Sequence, residues 1–344
     1  MIDITPGRPS SLANAVVICV DMGTTNTRAW LVAERKIVAR RDASVGVRDS
    51  ARTGSTQVVR DTLRDLVRVL QTEAEHLGLR PGLVLGAGMI TSSLGLLEVN
   101  HVLAPAGEDE LAASIREVSH PQVTDLPVWL VPGVRTGPAE PEIGDLPDVD
   151  VIRGEETLCM GLKDLGLLGP RSTLLNLGSH WKAITLDHGG RIVSSFTTLS
   201  GELIHTVQKH TVLASALPPD RLAETDFYWL AQGREQQQTA GISRALFCVR
   251  ILEQRFNLTP VQRASFLIGA VVGSDLAAVS RNKRLGDKIV LAGSGAVADA
   301  WKHFLQAEGR QVRVCNRQEI ETAFVAGLLQ IAELRRSGVS KGKR

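Results

Sequence analysis

Two short segments of this sequence place glycine, hydroxyl and cationic residues directly after an apolar run. The first, DMGTTNTR at residues 21–28, follows residues 16–20, and the second, GSHWK at residues 178–182, follows residues 173–177. A turn that presents backbone N–H groups, hydroxyls and a positive charge together matches the needs of a phosphate chain. The sequence therefore predicts two phosphate-binding turns, although a loop role without a ligand stays open for the histidine. The candidate residues are Gly23, Thr24, Thr25 and Arg28 in the first turn and Gly178, Ser179, His180 and Lys182 in the second.

Asp21 opens the first turn, at the end of an apolar strand. A buried carboxylate costs free energy unless it is paired or bound to a cation, and Mg²⁺ beside nucleotide phosphates is held by carboxylates and water. A turn-forming aspartate that caps the loop is the alternative interpretation, and the residues that follow Asp21 favour the metal. The second turn follows Asn176 and Leu177 and has no acidic residue there. We therefore expect Mg²⁺ at the first turn only.

A third turn links a strand to a helix near the end of the chain. A glycine-rich strand-to-helix turn can bind phosphate or adenosine at the helix N-terminus, but taken alone it also serves tight packing. The sequence contains no GxxxxGK[ST] motif, so it has no P-loop and these turns must bind the phosphates. The candidates in the third turn are Gly293, Ser294, Gly295 and Ala296.

The segment RGEET at residues 153–157 brings two carboxylates to the start of a predicted helix. One of them could act as a general base that takes a proton from an attacking hydroxyl. Acidic residues that complement the helix dipole are the structural alternative. Glu155 and Glu156 project about 100° apart on a helix, so only one of them can face a cleft.

The elements that carry these residues are repeated. Each phosphate turn lies between two strands, and a second turn leads into a third strand in both halves of the chain. Such duplication takes precedence over local propensity in predicting the fold. We predict helices at residues 57–76, 108–118 and 317–336, and a final strand at 288–292. The predicted domains are 1–170 and 171–344, with the last helix free to pack back on the first domain.

Composition restricts the class of protein. The chain of 344 residues suits two domains, and its net charge of +2 gives no indication of nucleic-acid binding. Four scattered cysteines without a CxxC pair favour reduced, buried thiols over a metal site or disulfides. Residues 1–11 lack the apolar region of a signal peptide, and we find no apolar run near the roughly 20 residues of a membrane helix. We expect a cytoplasmic protein without a membrane partner.

Together the three turns resemble those of the actin-like, hexokinase-fold ATPases. Nearly the whole chain is more closely similar to the 2-dehydro-3-deoxygalactonokinase family, above all at residues 86–98 (GAGMITSSLGLLE), 150–161 (DVIRGEETLCMG) and 200–203 (SGEL). This resemblance implies an α/β protein of two ribonuclease H-like domains with an interdomain cleft. It also implies a kinase that uses ATP and Mg²⁺ to phosphorylate 2-dehydro-3-deoxy-D-galactonate at its terminal hydroxyl, giving the 6-phosphate in galactonate catabolism.

Carried over by position, the resemblance assigns further roles. Asp21 would organise Mg²⁺, and Glu155 is favoured over Glu156 as the base. Arg135, Arg153 and Lys209 are candidates for the acceptor's carboxylate by location only. A homodimer is a further expectation. The resemblance places substrate binding at Met89, Ser92, Glu98, Arg153 and Glu202.

The sequence departs from the family pattern in two places. Where the family has Gly-Trp and then Pro-Tyr, this chain has Gly95-Leu96 and Asn100-His101, in a loop expected to border the acceptor. Its second turn reads GSHWK rather than GTHSKW, which keeps the donor chemistry. The alternatives are a kinase of another sugar or sugar acid, a polyphosphate or guanosine-phosphate hydrolase of the same fold, and a sensor that binds both ligands without turnover.

Overall fold

The computed structural model describes residues 15–220, 222, 224–281, 285–286 and 288–341, which form two compact units. The first unit comprises the described residues up to Glu140, together with Val151–Leu167 and the chain from Glu321 onward. The second unit comprises Pro141–Asp150 and Leu168–Ile320. The predicted absence of a signal peptide rests on residues 1–11, which lie outside the described residues.

The first unit is built on a six-stranded sheet with the order β3-β2-β1-β4-β7-β6. Its first three strands are antiparallel neighbours, whereas β4 and β7 run parallel to β1. A separate sheet of three short strands has the order β5-β8-β9. The elements are β1 (Val17–Met22), β2 (Thr27–Ala33), β3 (Lys36–Ala43), α1 (Val47–Thr53), α2 (Gln57–His76), β4 (Val84–Gly88), β5 (Val102–Leu103), α3 (Glu108–Ala113), β6 (Arg116–His120), β7 (Thr124–Leu130), β8 (Val134–Thr136), β9 (Asp150–Ile152) and α4 (Glu155–Asp164).

The second unit repeats this order as β12-β11-β10-β13-β14. Again three antiparallel strands come first, and two strands parallel to the innermost one follow. The duplication predicted from the turns therefore extends to five strands of each sheet, and β6 has no counterpart among the described strands of the second. The elements are β10 (Thr173–Leu177), β11 (Trp181–Leu186), β12 (Ile192–Thr198), α5 (Ser200–His210), α6 (Phe227–Ala240), α7 (Ile242–Arg255), α8 (Pro260–Arg281), β13 (Lys288–Ala292), α9 (Gly295–Ala307) and β14 (Gln311–Cys315). The last helix, α10 (Arg317–Lys341), begins at the end of the second unit and belongs to the first unit from Glu321 onward.

Helices cover both faces of the first sheet. Alternate residues of a strand point to opposite faces, so Leu31 packs with the apolar side of α2 while Trp30 points the other way. The Trp30 ring lies 5.8 Å from that of Phe324 on α10. Where α10 crosses α4, a Cβ at Gly161 or Gly327 would overlap backbone of the facing helix. The last helix is therefore an integral part of the first unit.

Two element predictions were wrong. The helix expected at residues 108–118 ends at Ala113, and Arg116–His120 forms the edge strand β6 because it pairs with β7. The strand at 288–292 is not the final one, since β14 follows it and pairs with it in parallel. In both cases pairing with a neighbouring strand decided the conformation, which local propensity does not report.

One described helix, α8, is long and apolar enough by length and composition to cross a membrane. This corrects the expectation that no stretch approaches that length. In the structure 72% of its most apolar 18-residue window is buried inside the second unit, where α6 crosses it at Gly233 and Gly269. It has the placement of a core helix.

Candidate active site

Three backbone segments converge at Asp21 in the first unit. Asp21, the last but one residue of β1, lies opposite Arg28 of β2 and beside Ala87 of β4. Gly88 ends β4 at a φ of 86°, and a Cβ there would lie 2.6 Å from the Met22 carbonyl oxygen and 3.2 Å from Asp21 Oδ1. Gly154, at a φ of 103°, would place a Cβ 3.2 Å from the Gly88 Cα. Only glycine fits at either position, and this brings the start of α4 to Asp21.

The Asp21 carboxyl group is partly buried, with 22% of its side chain exposed. Burial raises its pKa to about 6; the Arg28 guanidinium, 3.2 Å away, acts in the opposite direction, and the nearby Glu155 raises the pKa further. A cation bound beside Asp21 would favour the ionised form of its carboxyl group. The described residues contain no cluster of three or more His, Cys, Asp or Glu able to hold a metal. Mg²⁺ needs only one or two carboxylates beside phosphates and water, so Asp21 fits it.

The two adjacent glutamates of α4 have different surroundings. Glu156 is fully buried, and both its carboxyl oxygens accept from the Gly154 N–H, at 2.9 and 2.8 Å. Burial, followed by the charge of Glu155, raises the Glu156 pKa to about 8. Glu155 is partly exposed and accepts from the Arg153 N–H at 3.2 Å. The helix-capping alternative therefore describes Glu156, whereas the Glu155 carboxyl group remains partly exposed.

The first turn is tightly closed. The Gly23 N–H donates to the Asn26 carbonyl at 2.8 Å, and the Asn26 amide donates to Thr25 Oγ1 at 2.9 Å. Thr24 and Thr25 remain partly exposed on it. The buried Thr27 hydroxyl ties the end of the turn to the Val45 carbonyl at 2.8 Å. The structure thus gathers the predicted phosphate residues of the first copy beside Asp21.

The second turn has the same place in the second unit, between β10 and β11. His180 Nε2 lies 3.3 Å from a carboxyl oxygen of Glu202, on the first turn of α5. His180 thus has a protein partner, as the loop alternative requires, and stays partly exposed. Lys182 lies one residue into β11, opposite Asn176. Glu202 therefore belongs with this turn and not with the other predicted substrate residues, which are in the first unit.

The third turn lies beside the second. β13 runs parallel to β10, with Ala292 in register with Asn176. A Cβ at Gly293 would lie 2.8 Å from the Leu177 Cβ, so glycine is required for this approach. Ser294 precedes α9, whose first residue is Gly295. The residues predicted to bind phosphate and adenosine in the second half share one edge of its sheet.

Arg153 holds the loop predicted to border the acceptor. Its Nη1 donates to the Thr91 carbonyl and hydroxyl, at 2.5 and 2.7 Å, and to the Val99 carbonyl at 3.1 Å. Burial lowers the Arg153 pKa, while the nearby Glu156 and Glu98 act in the opposite direction. The Ser92 hydroxyl donates to the Met89 carbonyl at 2.7 Å. Four of the five predicted substrate residues therefore surround one loop, in which Ser92 is buried and Glu98 exposed.

His101, where the sequence departs from the family pattern, lies near Arg153 beside Gly133. A Cβ at Gly133 would lie 2.7 Å from Arg153 Cγ and 2.8 Å from His101 Cδ2. Burial, together with the charges of Arg153 and Arg135, lowers the His101 pKa to about 4. The imidazole is therefore neutral at pH 7. Lys209, the third candidate for the acceptor's carboxylate, donates to the Pro219 carbonyl in the second unit.

Sequence reasoning missed four glycines that shape these turns: Gly46, Gly88, Gly154 and Gly201. Gly88 and Gly154 lie within segments already singled out, but only the close approach of distant backbone explains their identity. Gly46 and Gly201 follow the third strand of each repeat, and this repeated position is the signal that could have revealed them.

Comparison with known proteins identifies relatives across almost the whole chain. The family described as 2-keto-3-deoxy-galactonokinase matches residues 21–331. The 2-dehydro-3-deoxygalactonokinase of Escherichia coli (strain K12) is 25% identical over 325 residues, 92% of this chain and 97% of that protein. A Rhizobium meliloti (strain 1021) protein named "Probable 2-dehydro-3-deoxygalactonokinase" is 27% identical over 318 residues, 90% of this chain and 94% of that protein.

Solved structures show the same fold. A crystal structure from Sinorhizobium meliloti, provisionally named as a 2-dehydro-3-deoxygalactonokinase, has a TM-score of 0.72 at 22% identity and covers 92% of this chain and 98% of its own. The activator of 2-hydroxyisocaproyl-CoA dehydratase from Clostridium difficile, solved with ADPNP, has a TM-score of 0.51 at 12% identity over 94% and 97% of the two chains. The predicted fold class, two ribonuclease H-like domains of the actin and hexokinase type, is confirmed.

Proposed function

Because the chain belongs to the 2-keto-3-deoxy-galactonokinase family, we propose that it transfers the γ-phosphoryl group of ATP to the terminal hydroxyl of 2-dehydro-3-deoxy-D-galactonate. The family match over residues 21–331 carries this proposal. The names of the E. coli and R. meliloti relatives support the acceptor. The carboxyl groups that meet at Asp21 support the chemistry, since a phosphoryl transferase needs a metal site beside a base.

In the proposed reaction Glu155 takes the proton from the acceptor's terminal hydroxyl. The oxygen then bonds to the γ-phosphorus as the bond to the ADP oxygen breaks. Asp21 would hold Mg²⁺, which would supply positive charge beside the phosphate oxygens. Arg28 keeps the Asp21 carboxyl ionised by its charge and its hydrogen bond. Glu156 positions the Gly154 N–H and takes no proton from the substrate.

The phosphates of ATP are assigned to the first two turns and its adenosine to the third. Thr24, Thr25 and Arg28 contribute hydroxyls and a cation from the first unit. Ser179, His180 and Lys182 do so from the second, where Lys182 acts as a point charge. In the first unit Arg153 and Arg135, which both act on the neutral His101, suit the acceptor's carboxylate. We further propose that the enzyme is cytoplasmic and that its ligands are ATP and a sugar acid. We also propose that it forms a homodimer, which light scattering would test.

An assay that couples ADP release to a readout tests the reaction. We expect turnover with 2-dehydro-3-deoxygalactonate, less with the gluconate epimer, and none with simple hexoses. Activity confined to hexoses would overturn the sugar-acid assignment. Phosphate release without any acceptor would favour a hydrolase, and ATP binding without turnover on any acceptor would favour a sensor.

Asp21→Asn tests the metal role. The variant keeps the shape of the side chain, so we expect a folded protein that has lost nearly all turnover and its dependence on Mg²⁺ concentration. Circular dichroism and thermal unfolding report the fold. Near-normal turnover in this variant would remove the role assigned to Asp21.

A further inference from the structure

Each phosphate turn meets a glycine at the start of a helix, at the same distance along the chain in both repeats. Gly46 precedes α1, and Gly201 is the second residue of α5. Each follows the first glycine of its turn by 23 residues, from Gly23 to Gly46 and from Gly178 to Gly201. Both lie three residues after the third strand of their repeat, which ends at residue 43 or 198.

In the first unit the backbone of Gly46 lies against the turn. A Cβ at Gly46 would lie 2.5 Å from the Thr24 carbonyl carbon and oxygen and 2.6 Å from the Gly23 oxygen. The next two N–H groups bind the same carbonyls: that of Val47 donates to Gly23 at 3.3 Å and that of Arg48 to Thr24 at 2.9 Å. No side chain larger than hydrogen can occupy position 46 without displacing the turn.

In the second unit the glycine makes the same close approach. A Cβ at Gly201 would overlap the Gly178 carbonyl oxygen and would lie 2.8 Å from that of Ser179. The N–H of the next residue, Glu202, donates to the Ser179 carbonyl at 2.8 Å. In both units backbone groups after the glycine hold carbonyl groups of the turn, although the register of the hydrogen bonds differs by one residue.

The carbonyl groups held in this way are those that would repel a phosphate. The first N–H groups of a helix have no partner within the helix, and here they bind carbonyl oxygens of the turn. Because these carbonyl groups are hydrogen-bonded to the start of the helix, they cannot rotate toward an anion. The N–H groups and hydroxyls of the turn are then the groups that bind the phosphate. Such preorganisation lowers the cost of binding.

We propose that Gly46 and Gly201 are paired positioning residues that set the affinity of the two turns for nucleotide phosphates. The proposal rests on the assignment of ATP under the proposed function, but not on the identity of the acceptor. We call the contact of Gly46 or Gly201 with the carbonyl groups of its turn a brace. A threonine hydroxyl fixes the chain near each brace: Thr27 Oγ1 donates to the Val45 carbonyl at 2.8 Å, and Thr198 Oγ1 donates to Asp275 Oδ2 at 2.6 Å.

The test compares Gly46→Ala and Gly201→Ala with two control variants, Gly82→Ala and Gly144→Ala. An added Cβ at position 82 or 144 meets open space. The control variants therefore replace glycine by alanine without displacing either phosphate turn. Calorimetric titration with MgADP, in the absence of any acceptor, measures affinity. We expect the brace variants to bind about ten- to a hundredfold more weakly and the controls to bind like the wild type.

A merely structural role would lower the unfolding temperature without changing the dissociation constant of the folded fraction. In steady-state assays we expect the KM for ATP to rise while the KM for the acceptor stays constant. Wild-type MgADP affinity in both brace variants would overturn the proposal. If instead the wild type binds MgADP but phosphorylates no sugar acid, the proposed acceptor is wrong. The effect of the braces on MgADP affinity can still be measured in that case.

Thr27→Val and Thr198→Val keep the proposal falsifiable should the alanine variants fail to fold. They remove one hydrogen bond from each brace and add no atom that meets the turn. We expect MgADP to bind about three- to fivefold more weakly, as the loss of one hydrogen bond predicts. Unchanged affinity in both would contradict the role of the braces.

Discussion

Glu155 and Glu156 are neighbours in sequence, but the first turn of α4 places them in different environments. The Glu156 carboxyl group is buried, and both its oxygens accept from one backbone N–H. Glu155 is partly exposed, and its charge raises the pKa of Asp21. A base must reach its proton within hydrogen-bond distance. This requirement favours Glu155 for chemistry and Glu156 for holding Gly154.

The first prediction separates these roles by activity. We expect Glu155→Gln to lower kcat about 10²- to 10⁴-fold, as the loss of a general base does, with MgADP affinity little changed. Glu156→Gln keeps an acceptor for the Gly154 N–H and should retain most of kcat. Steady-state kinetics with nucleotide titration measure both effects. The reverse ranking of the two variants would transfer the base role to Glu156.

The second prediction concerns stability and pH. The Glu156 pKa is raised to about 8 in the folded protein, above the value near 4.3 of a free glutamate. Between these values the folded state binds more protons than the unfolded state, so the free energy of unfolding falls as pH rises from about 4.5 to 8. Glu156→Gln removes this loss. We expect it to raise the unfolding free energy relative to wild type at pH 8.5, on the order of 5 kcal/mol, and to change it little at pH 4.5.

Urea unfolding of both proteins at the two pH values measures this difference. Asp275→Asn, at a half-buried carboxyl group with a raised pKa, serves as a comparison outside the first unit. An equal difference between wild type and Glu156→Gln at both pH values would show that Glu156 does not titrate in this range.

At the scale of elements, glycines set how closely helices cross. A Cβ at Gly161 of α4 would overlap the Ala323 carbonyl of α10, and one at Gly327 would overlap the Thr157 carbonyl of α4. The crossing fixes α4, whose first turn carries Glu155. Because both overlaps involve backbone, a small side-chain movement cannot relieve them.

The third prediction follows from this crossing. We expect Gly161→Ala and Gly327→Ala each to lower the free energy of unfolding by about 3 kcal/mol, as overpacking does. Gly338→Ala, in the same last helix but with open space around an added Cβ, should be neutral or stabilise by up to about 1 kcal/mol. Thermal unfolding of the three variants measures the effects. A destabilisation by Gly338→Ala equal to the others would attribute the loss to helix backbone rather than to the crossing.

Elements with a clear period were predictable from sequence, and those decided by partners were not. The spacing of Val59, Leu63 and Leu70 defined α2 from residue 57 to 76, as the structure has it. The start of strand β6 is predicted as helix, because the pairing with β7 that makes it a strand leaves no strong pattern in its own sequence. The turn residues were predictable because each turn follows an apolar strand. The bracing glycines were not, since their requirement comes from backbone 23 residues away.

At the scale of the whole molecule, the chain leaves the first unit and returns to it. The predicted boundaries, 1–170 and 171–344, left the last helix free to pack back on the first domain. The compact units are discontinuous, and the chain from Glu321 onward belongs to the first. Contacts from this last segment include Phe324 with Trp30 and Glu321 with Arg40.

The fourth prediction tests this dependence. A chain that stops at Ile320 loses the helix covering Trp30, so we expect the first unit to lose its cooperative unfolding transition and become sensitive to protease. A chain that stops at Ser337 keeps those contacts and should unfold like the full protein. Limited proteolysis and calorimetry compare the two. Full protease resistance of the first unit in the shorter chain would show that α10 is dispensable for it.

Synthesis on a ribosome proceeds from the N-terminus, so the last helix of the first unit is made well after the rest of that unit. The second unit, which ends at Ile320, has all its segments before the first unit receives its last helix. About 150 residues separate Leu167 from that helix, which at about 5–20 residues per second is roughly 8–30 s of translation. Throughout this interval the face of the first sheet that bears Trp30 is without its helix. A nascent chain of this protein therefore has a defined period in which a chaperone would have apolar surface to bind.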